Sequence, residues 1–394
     1  MLRYLTAGES HGQGLVAVLV GIPSGLPIRR ELLESRLAAR QAGYGRGARM
    51  KIESDRAEFL SGVRDGETLG SPIALLVPNK DWRNWEKVMA PFDADPKAMQ
   101  AKAVSRPRPG HADLAGALKY KHSDMRNVLE RASARETAAR TALGSIAEML
   151  LLEFDIELGA HVVRIGDVAV EPQKLTPRKI LTTPEKSRVR CADPAAGLKM
   201  MAAIDAASAA GDTLGGSIEV VVLNVPLGLG SHVQADRKLD SRLAGAVMAV
   251  PAIKAVEIGD GVLLGCLPGS QSHDEIFYSA RKMNRSAGFY RKTNHAGGIE
   301  GGISNGENIV VRATMKPIPT LRQPLRSVDM HTKKSLKASV ERSDVCAVPA
   351  ASVIVRAVVA IEIANAMIEK FGGDSLAEMR RNFDSYIKAI RKQS

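Results

Sequence analysis

Apolar residues in the first two dozen positions fall into two short runs, 1–7 and 15–21, parted by the glycine-rich stretch 8–14 and closed by Pro23. Short apolar runs between such breakers predict strand, turn and strand. The period then changes: Leu32, Leu33 and Leu37 share one face of a helix predicted over 29–40. A glycine- and arginine-rich loop over 41–49 and short strands to about residue 77 follow. Residues 79–109 lose the pattern; they are polar, hold four prolines and both tryptophans, and read as a long surface excursion.

The clearest helix is predicted over 133–154. Ser133-Ala134-Arg135-Glu136 has the form of a capping box, in which hydroxyl and carboxylate satisfy exposed backbone N–H groups. Behind it Ala138, Ala139, Ala142, Gly144 and Ala147 make a slender rod that neighbours can approach closely. Residues 171–194 read as a linker. The second half repeats the style, with a strand over 217–225, a helix over 235–250, strands over 255–266 and a strand over 309–316. A buried helix over 350–371 and a basic amphipathic helix over 376–392 close the chain. Two halves of strands plus one small-residue helix point to an α+β class and a duplicated unit, although no fixed-period repeat is visible.

Composition narrows the function. A hydrophobic share of 45% over 394 residues is enough for a substantial core. The N-terminal segment has no apolar stretch after its single arginine, and no run reaches the roughly 18 apolar residues of a membrane span. Cys191, Cys266 and Cys346 are isolated, which argues against a disulfide framework or a cysteine zinc site. A cytoplasmic protein is the expectation. The net charge of +12 favours anionic partners. Nucleic acid would suit that charge, but only 4% of residues are aromatic and no recognised module offers stacking platforms.

Five constellations could carry chemistry. Arg36, Arg40, Arg46, Arg49 and Lys51 run without an intervening acid among Gly43, Gly45 and Gly47. Such forks bind phosphate and carboxylate, with a solvated basic face as the alternative. His11 sits in a Gly-Glu-Ser-His-Gly turn and His111 follows alternating prolines; each is a candidate proton donor or a structural loop histidine. The helix start at Ser133, flanked by Arg131 and Arg135, is an anion site, a cap, or both. The glycines of 294–306 could bed a flat ring or form a flexible hairpin, and Lys316-Pro317-Ile318-Pro319-Thr320 follows one strand later. Arg342-Ser343-Asp344 precedes the second buried helix as an acid site or an ion pair. Gly12-Gln13-Gly14-Leu15-Val16-Ala17 fits a dinucleotide fingerprint, but a strand follows where a helix is required. There is no P-loop and no zinc-ligand spacing.

Taken in order, GESHG (8–12), RPGHAD (108–113), ERASARETAART (130–141), VEIGDG (256–261), NHAGGIEGGISNG (294–306), MKPIPTL (315–321) and RSDVCAVP (342–349) resemble the motifs of the chorismate synthase family. The resemblance spans nearly the whole chain. It implies one domain over 1–394, a sandwich of helices packed between antiparallel sheets, and a homotetramer. It implies a carbon–oxygen lyase that removes phosphate from C3 and hydrogen from C6 of 5-enolpyruvylshikimate 3-phosphate in an anti-1,4-elimination. Reduced FMN would be required without net redox change, lending an electron for bond breaking and taking up the hydrogen at N5.

By motif, the resemblance makes His11 the donor to the departing phosphate and places His111 beside the flavin's N1 side. Asp344 would manage the N5 proton, and Ser10 and Ser133 would relay or position protons. FMN would meet Arg131, Ala132, Ser133, Pro251, Ala252, Gly301, Lys316, Pro317, Ile318, Pro319, Thr320 and Arg342. Arg40 and Arg46 match positions assigned to NADPH. With Arg49, Arg108 and Arg135 they would also bind substrate anions. No role transfers to residues 81–101 or to the basic tail. No reductase domain is visible, so an external flavin reductase is implied, and an ordinary NADPH-consuming oxidoreductase is the rival enzyme reading.

Overall fold

The structure, a computed structural model, describes residues 1–47, 54–171, 175–282, 285–341 and 344–393. The N-terminal part forms an antiparallel sheet of β1 (Arg3–Ala7), β2 (Gly14–Val20), β3 (Glu58–Ser61) and β4 (Ile73–Pro78), in the order β1-β2-β4-β3. Alternation places Leu15, Ala17 and Leu19 opposite Val77, Leu75 and Ile73, and all six are buried on one face. The second sheet is also antiparallel. It contains β5 (Glu157–Ile165), β6 (Gly216–Leu223), β7 (Ile253–Ile258) and β8 (Ile309–Met315), in the order β7-β8-β6-β5, with Val168–Ala169 at the edge.

Helices fill the space between. α1 (Arg30–Gln41) and α2 (Thr137–Leu152) lie on the first sheet's side, and α2 packs on β2 and β4. α3 (Val348–Phe371) packs on β5 and β6, and the two long helices pack on each other. By length and composition α3 could cross a membrane, yet it is buried inside this fold. α4 (Leu376–Gln393) docks through Met379, Phe383 and Ile387, four residues apart, with Phe383 edge-on to Phe154 and Phe371. The result is the expected α+β sandwich. Each sheet is lined by one small-residue helix, and the strand order repeats, β1-β2-β4-β3 in the first sheet and β5-β6-β8-β7 in the second, with Val168–Ala169 added at the second sheet's edge, so the topology carries the duplicated unit expected from the sequence.

Several expected boundaries move. Of the stretch 171–194, residues 172–174 lie outside the described residues, and the rest is not a linker. Thr176 caps a helix over Pro177–Thr182, whose Ile180 packs with Ala192 and Val221 over the outer face of the second sheet. The helix Pro194–Ala209, capped by Asp193, was not anticipated. Instead of strands through 266, β7 stops at Ile258, where Gly259 and Gly261 take positive φ, and a 3-10 turn spans Gly261–Cys266. A 3-10 turn, Ala235–Arg237, also precedes the helix Leu239–Met248. At the start of α2 the capping box only half forms. Ser133 Oγ accepts from Arg135 N across a 3-10 turn, Ala134–Glu136, while Glu136 pairs with Arg140.

The α2–α3 contact leaves no room for a side chain at Gly144, where a Cβ would lie 2.4 Å from that of Ala357. Gly144→Val is expected to destabilise the fold by about 1–3 kcal/mol, as overpacking does, read as a lower urea midpoint. Gly245→Ala, where a Cβ would meet nothing within 4 Å, should gain up to about 1 kcal/mol as a helix-interior glycine replacement. Equal midpoints for the two variants would contradict the packing argument.

Candidate functional site

The turn between β1 and β2 is built around a buried acid. Ser10 N donates to the Glu130 carbonyl at 3.0 Å, and His11 N donates to Glu130 Oε2 at 2.8 Å. His11 Nδ1 lies 2.9 and 3.0 Å from the two carboxylate oxygens. Glu130 comes from the short helix Arg126–Ala132, one turn after Arg126, whose Nη1 donates to Oε1 at 3.1 Å. Burial alone would raise the Glu130 pKa, but the bonds from His11 and Arg126 outweigh it and hold the carboxyl below its ordinary range. An ionised carboxylate only accepts, so Nδ1 bears its hydrogen and Nε2 is left to carry or release a second proton. Ser133 Oγ donates to Ser10 Oγ at 3.1 Å. Asn79 Nδ2 donates to the carbonyls of Glu9 and Gly12 and so pins the turn from the other side. The indole of Trp85 stacks on His11 with ring centroids 3.9 Å apart.

Beside this turn, Asp55 joins two arginines. Arg40 Nη1 donates to Asp55 Oδ2 at 3.0 Å, Nε to Thr137 Oγ1 and Nη2 to the Ala134 carbonyl. Arg135 Nη1 bonds the other Asp55 oxygen, and its Nε donates to Asn79 Oδ1 at 2.9 Å. Arg40 is only 5% exposed and Arg135 7%. Burial, together with the like charge of Arg135 and Arg46 and only partly offset by Asp55, brings the Arg40 guanidinium down to about 10; it stays cationic at neutral pH. Nearby, Arg46 Nη1 donates to Asp344 Oδ2 at 2.6 Å and Gly47 N to Oδ1 at 2.7 Å.

A second histidine group repeats the arrangement. Arg108 grips the fully buried Asp113 with Nε and Nη2, at 2.8 and 3.0 Å. His111 Nδ1 sits 2.6 Å from Asp113 Oδ1. Burial would raise the Asp113 pKa, but these donors hold it far below the usual carboxylate range. Arg108 Nη1 also donates to Thr320 Oγ1 at 3.2 Å, and Lys316 Nζ bonds the Gly110 carbonyl. Lys316 N donates to the Ala252 carbonyl, in a turn where Ala252 holds φ of +69°.

The structure thus brings together Ser10, His11 and Ser133 with Arg40 and Arg135 close by, and separately joins Arg108, His111, Lys316, Thr320 and the Pro251–Ala252 turn. Arg126 reaches Glu341 at 3.0 Å, and Thr213, whose neighbour Leu214 bridges Cys346, donates to the Ile318 carbonyl. Arg131 bonds Thr6 and the Gly8 carbonyl at the edge of the first group. Gly301 is at the tip of the hairpin Ile299–Ser304, whose bonds run to Leu229 and Leu239 rather than to either histidine. Arg49 and Arg342 lie outside the described residues. Sequence reasoning missed Glu130, Asp113, Asp55, Asn79 and Trp85 as site residues. Asp113 has a local signal, two residues after His111, and Glu130 stands one turn after Arg126; Asp55, Asn79 and Trp85 have none.

These surroundings fit a phosphorylated planar cofactor. Lys316 and Arg131 supply cationic donors, Ser133 and Thr320 hydroxyls, and Pro317, Ile318 and Pro319 an apolar strip. Gly301 presents bare backbone, for a Cβ there would meet nothing within 4 Å.

Comparison with known proteins then identifies the family. The family model described as chorismate synthase matches residues 2–368. The chorismate synthase of Geobacter sulfurreducens is 56% identical over 393 residues, covering 99% of this chain and 100% of that protein. That of Moorella thermoacetica is 56% identical over 392 residues and covers 100% of both chains. A crystal structure of chorismate synthase superposes with a TM-score of 0.79 at 42% identity, covering 99% of this chain and 98% of the other. The chain belongs to the chorismate synthase family.

Proposed function

We propose that this chain catalyses the anti-1,4-elimination of phosphate from 5-enolpyruvylshikimate 3-phosphate to give chorismate, the last step of the shikimate pathway. The observation that carries the reading is His11, its Nδ1 committed to a buried carboxylate, standing beside the cation-lined start of α2. His11 Nε2 hands a proton to the departing phosphate. Ser10 and Ser133, hydrogen-bonded to each other, position that proton, and Arg40, Arg46, Arg49, Arg108 and Arg135 provide the positive field for the substrate's phosphate and carboxylates.

Reduced FMN would be held by Arg131, Ala132, Ser133, the Pro251–Ala252 turn, Gly301, Lys316 to Thr320 and Arg342. When bound it supplies the electron that loosens the carbon–oxygen bond and the acceptor for the departing hydrogen, with no net redox change. His111, oriented by Asp113, balances the ring's negative charge. Asp344, oriented by Arg46 and Gly47 N, takes and returns the remaining proton. NADPH is the ultimate reductant, delivered through an external flavin reductase or bound near Arg40 and Arg46, and the working form is a cytoplasmic homotetramer.

The deciding experiment is anaerobic. With chemically reduced FMN and substrate, chorismate and phosphate should appear in equal amounts, and neither should appear with oxidised FMN. Substrate and flavin binding without product would sink the proposal. His11→Ala should keep flavin affinity while kcat falls about 10²–10⁴-fold, the usual contribution of a general acid; near-normal turnover would remove it from the mechanism. Asp344→Asn should lose kcat in the same way, checked by single-turnover kinetics. His111→Ala should weaken reduced FMN at least about tenfold more than oxidised FMN, as loss of a charge-assisted bond predicts; titration of both redox forms tests this.

A further inference from the structure

Apart from Arg108, the excursion 79–109 is given no role in the proposed reaction, yet it is fastened to the His11 turn at two points. At its start Asn79 holds the Glu9 and Gly12 carbonyls, and Asn79 N donates to the Gln13 carbonyl at 3.0 Å. Further on, the Lys102 carbonyl accepts from Arg126 Nε at 2.6 Å, and Arg126 is the arginine that also binds Glu130. Between these anchors Trp85 lays its ring on His11, tilted by only 26°. The indole is itself aimed. Its Nε1–H donates to Asp81 Oδ2 at 3.1 Å, and Asn84 holds the other Asp81 oxygen at 2.7 Å. Two cations sit by the same indole, Arg126 with its guanidinium carbon 5.1 Å from the centroid and Lys102 with Nζ 5.2 Å away.

A hydrogen bond from Nδ1 to Glu130 fixes one axis of the imidazole but leaves the ring free to turn about that axis. A planar group on its face removes that freedom and keeps water off one side of the ring. Proton donors work only when held within a fraction of an ångström of the productive geometry. We propose that Trp85 is a positioning residue for the elimination, locking the plane of His11 and shielding it from solvent; this rests on His11 being the proton donor. The groups facing His11 are then Glu130 with Arg126 behind it, the Ser10 and Ser133 hydroxyls, and Trp85 with Lys102 beside it.

The chain has two tryptophans, Trp82 and Trp85, so in a Trp82→Phe background all indole emission comes from Trp85. A stacked imidazolium quenches indole fluorescence more than neutral imidazole does. Emission should therefore rise with pH in a single step, with no substrate or flavin present, and His11→Ala in the same background should abolish the step. Trp85→Ala should lower kcat about tenfold to a hundredfold, the scale of loss for a misplaced catalytic group, with the KM for substrate and the flavin affinity changed less than about threefold. Trp85→Phe, which can still stack, should recover most of the loss. A flat emission curve, a Trp85→Ala enzyme with normal kcat, or a Phe variant as slow as Ala would each overturn the proposal. Chorismate formation by the unmodified chain separates the cases. If it is present while Trp85→Ala is normal, only this inference falls; if it is absent while the emission step persists, the functional reading beneath it falls.

Discussion

The site depends on the close contact between α2 and α3. Fourteen of the residues in α2 are buried, so the helix has no solvent face along which it could shift. Alanines and Gly144 bring it against Ala357 with no side chain between, and dispersion in so tight a contact is lost quickly with separation. Rotation is blocked as well. Glu148 of α2 accepts from Arg36 of α1 and from Arg356 of α3 in the helix layer, and burial of that carboxylate is outweighed by the two guanidiniums, which hold it below its ordinary range. Removing one partner of such a buried pair costs about 3–5 kcal/mol. With α2 fixed in translation and rotation, the residues just before it are fixed too, and those are Glu130, Ser133 and Arg135.

One acid shared by two nitrogen bases is the repeated unit of the site. Asp55 takes Arg40 and Arg135, Asp113 takes Arg108 and His111, and Glu130 takes Arg126 and His11. Among the described residues no buried carboxylate oxygen is left without a donor, which desolvation would punish. Counting these buried members alone, the Asp55 group carries a net positive charge, and each histidine group is neutral or positive according to the histidine. Glu130 and Asp113 are held below the usual carboxylate range, so each remains an acceptor for the nitrogen groups around it.

Legibility followed range along the chain. Alternation in β2 and β4, the alanines and glycine of α2 and the spacing of Met379, Phe383 and Ile387 are local patterns, and each led to the right element. Boundaries failed where a few residues took 3-10 or left-handed conformation, as at Gly259 and Gly261. The stretch 171–194 looked like a linker because its buried residues, Ile180, Pro184 and the short run 189–192, are set apart by polar ones and show no period. At the site, the histidines and arginines stood out through their motifs, but their partners did not. His11 and Glu130 are 119 positions apart, and Asp55 and Arg135 are 80. Only tertiary packing can choose such partners, and any of 43 acidic residues could have been chosen.

That choice also changes what the arginines can do. Read from the sequence, Arg40 and Arg135 were forks open to an anion; in the fold both engage Asp55 and are nearly inaccessible. Their effect on a ligand is then exerted through the field more than through contact. Such a field is not negligible, because two cations share one anion in a buried setting where the effective dielectric is well below that of water. Contact falls to cations nearer the surface, Arg131 and Lys316, and to Arg46, which holds Asp344. The division has a physical advantage. Cations buried beside a fixed carboxylate need no reorganisation when the ligand arrives, so the potential at the start of α2 is present beforehand, while the donors nearer the surface make the direct contacts.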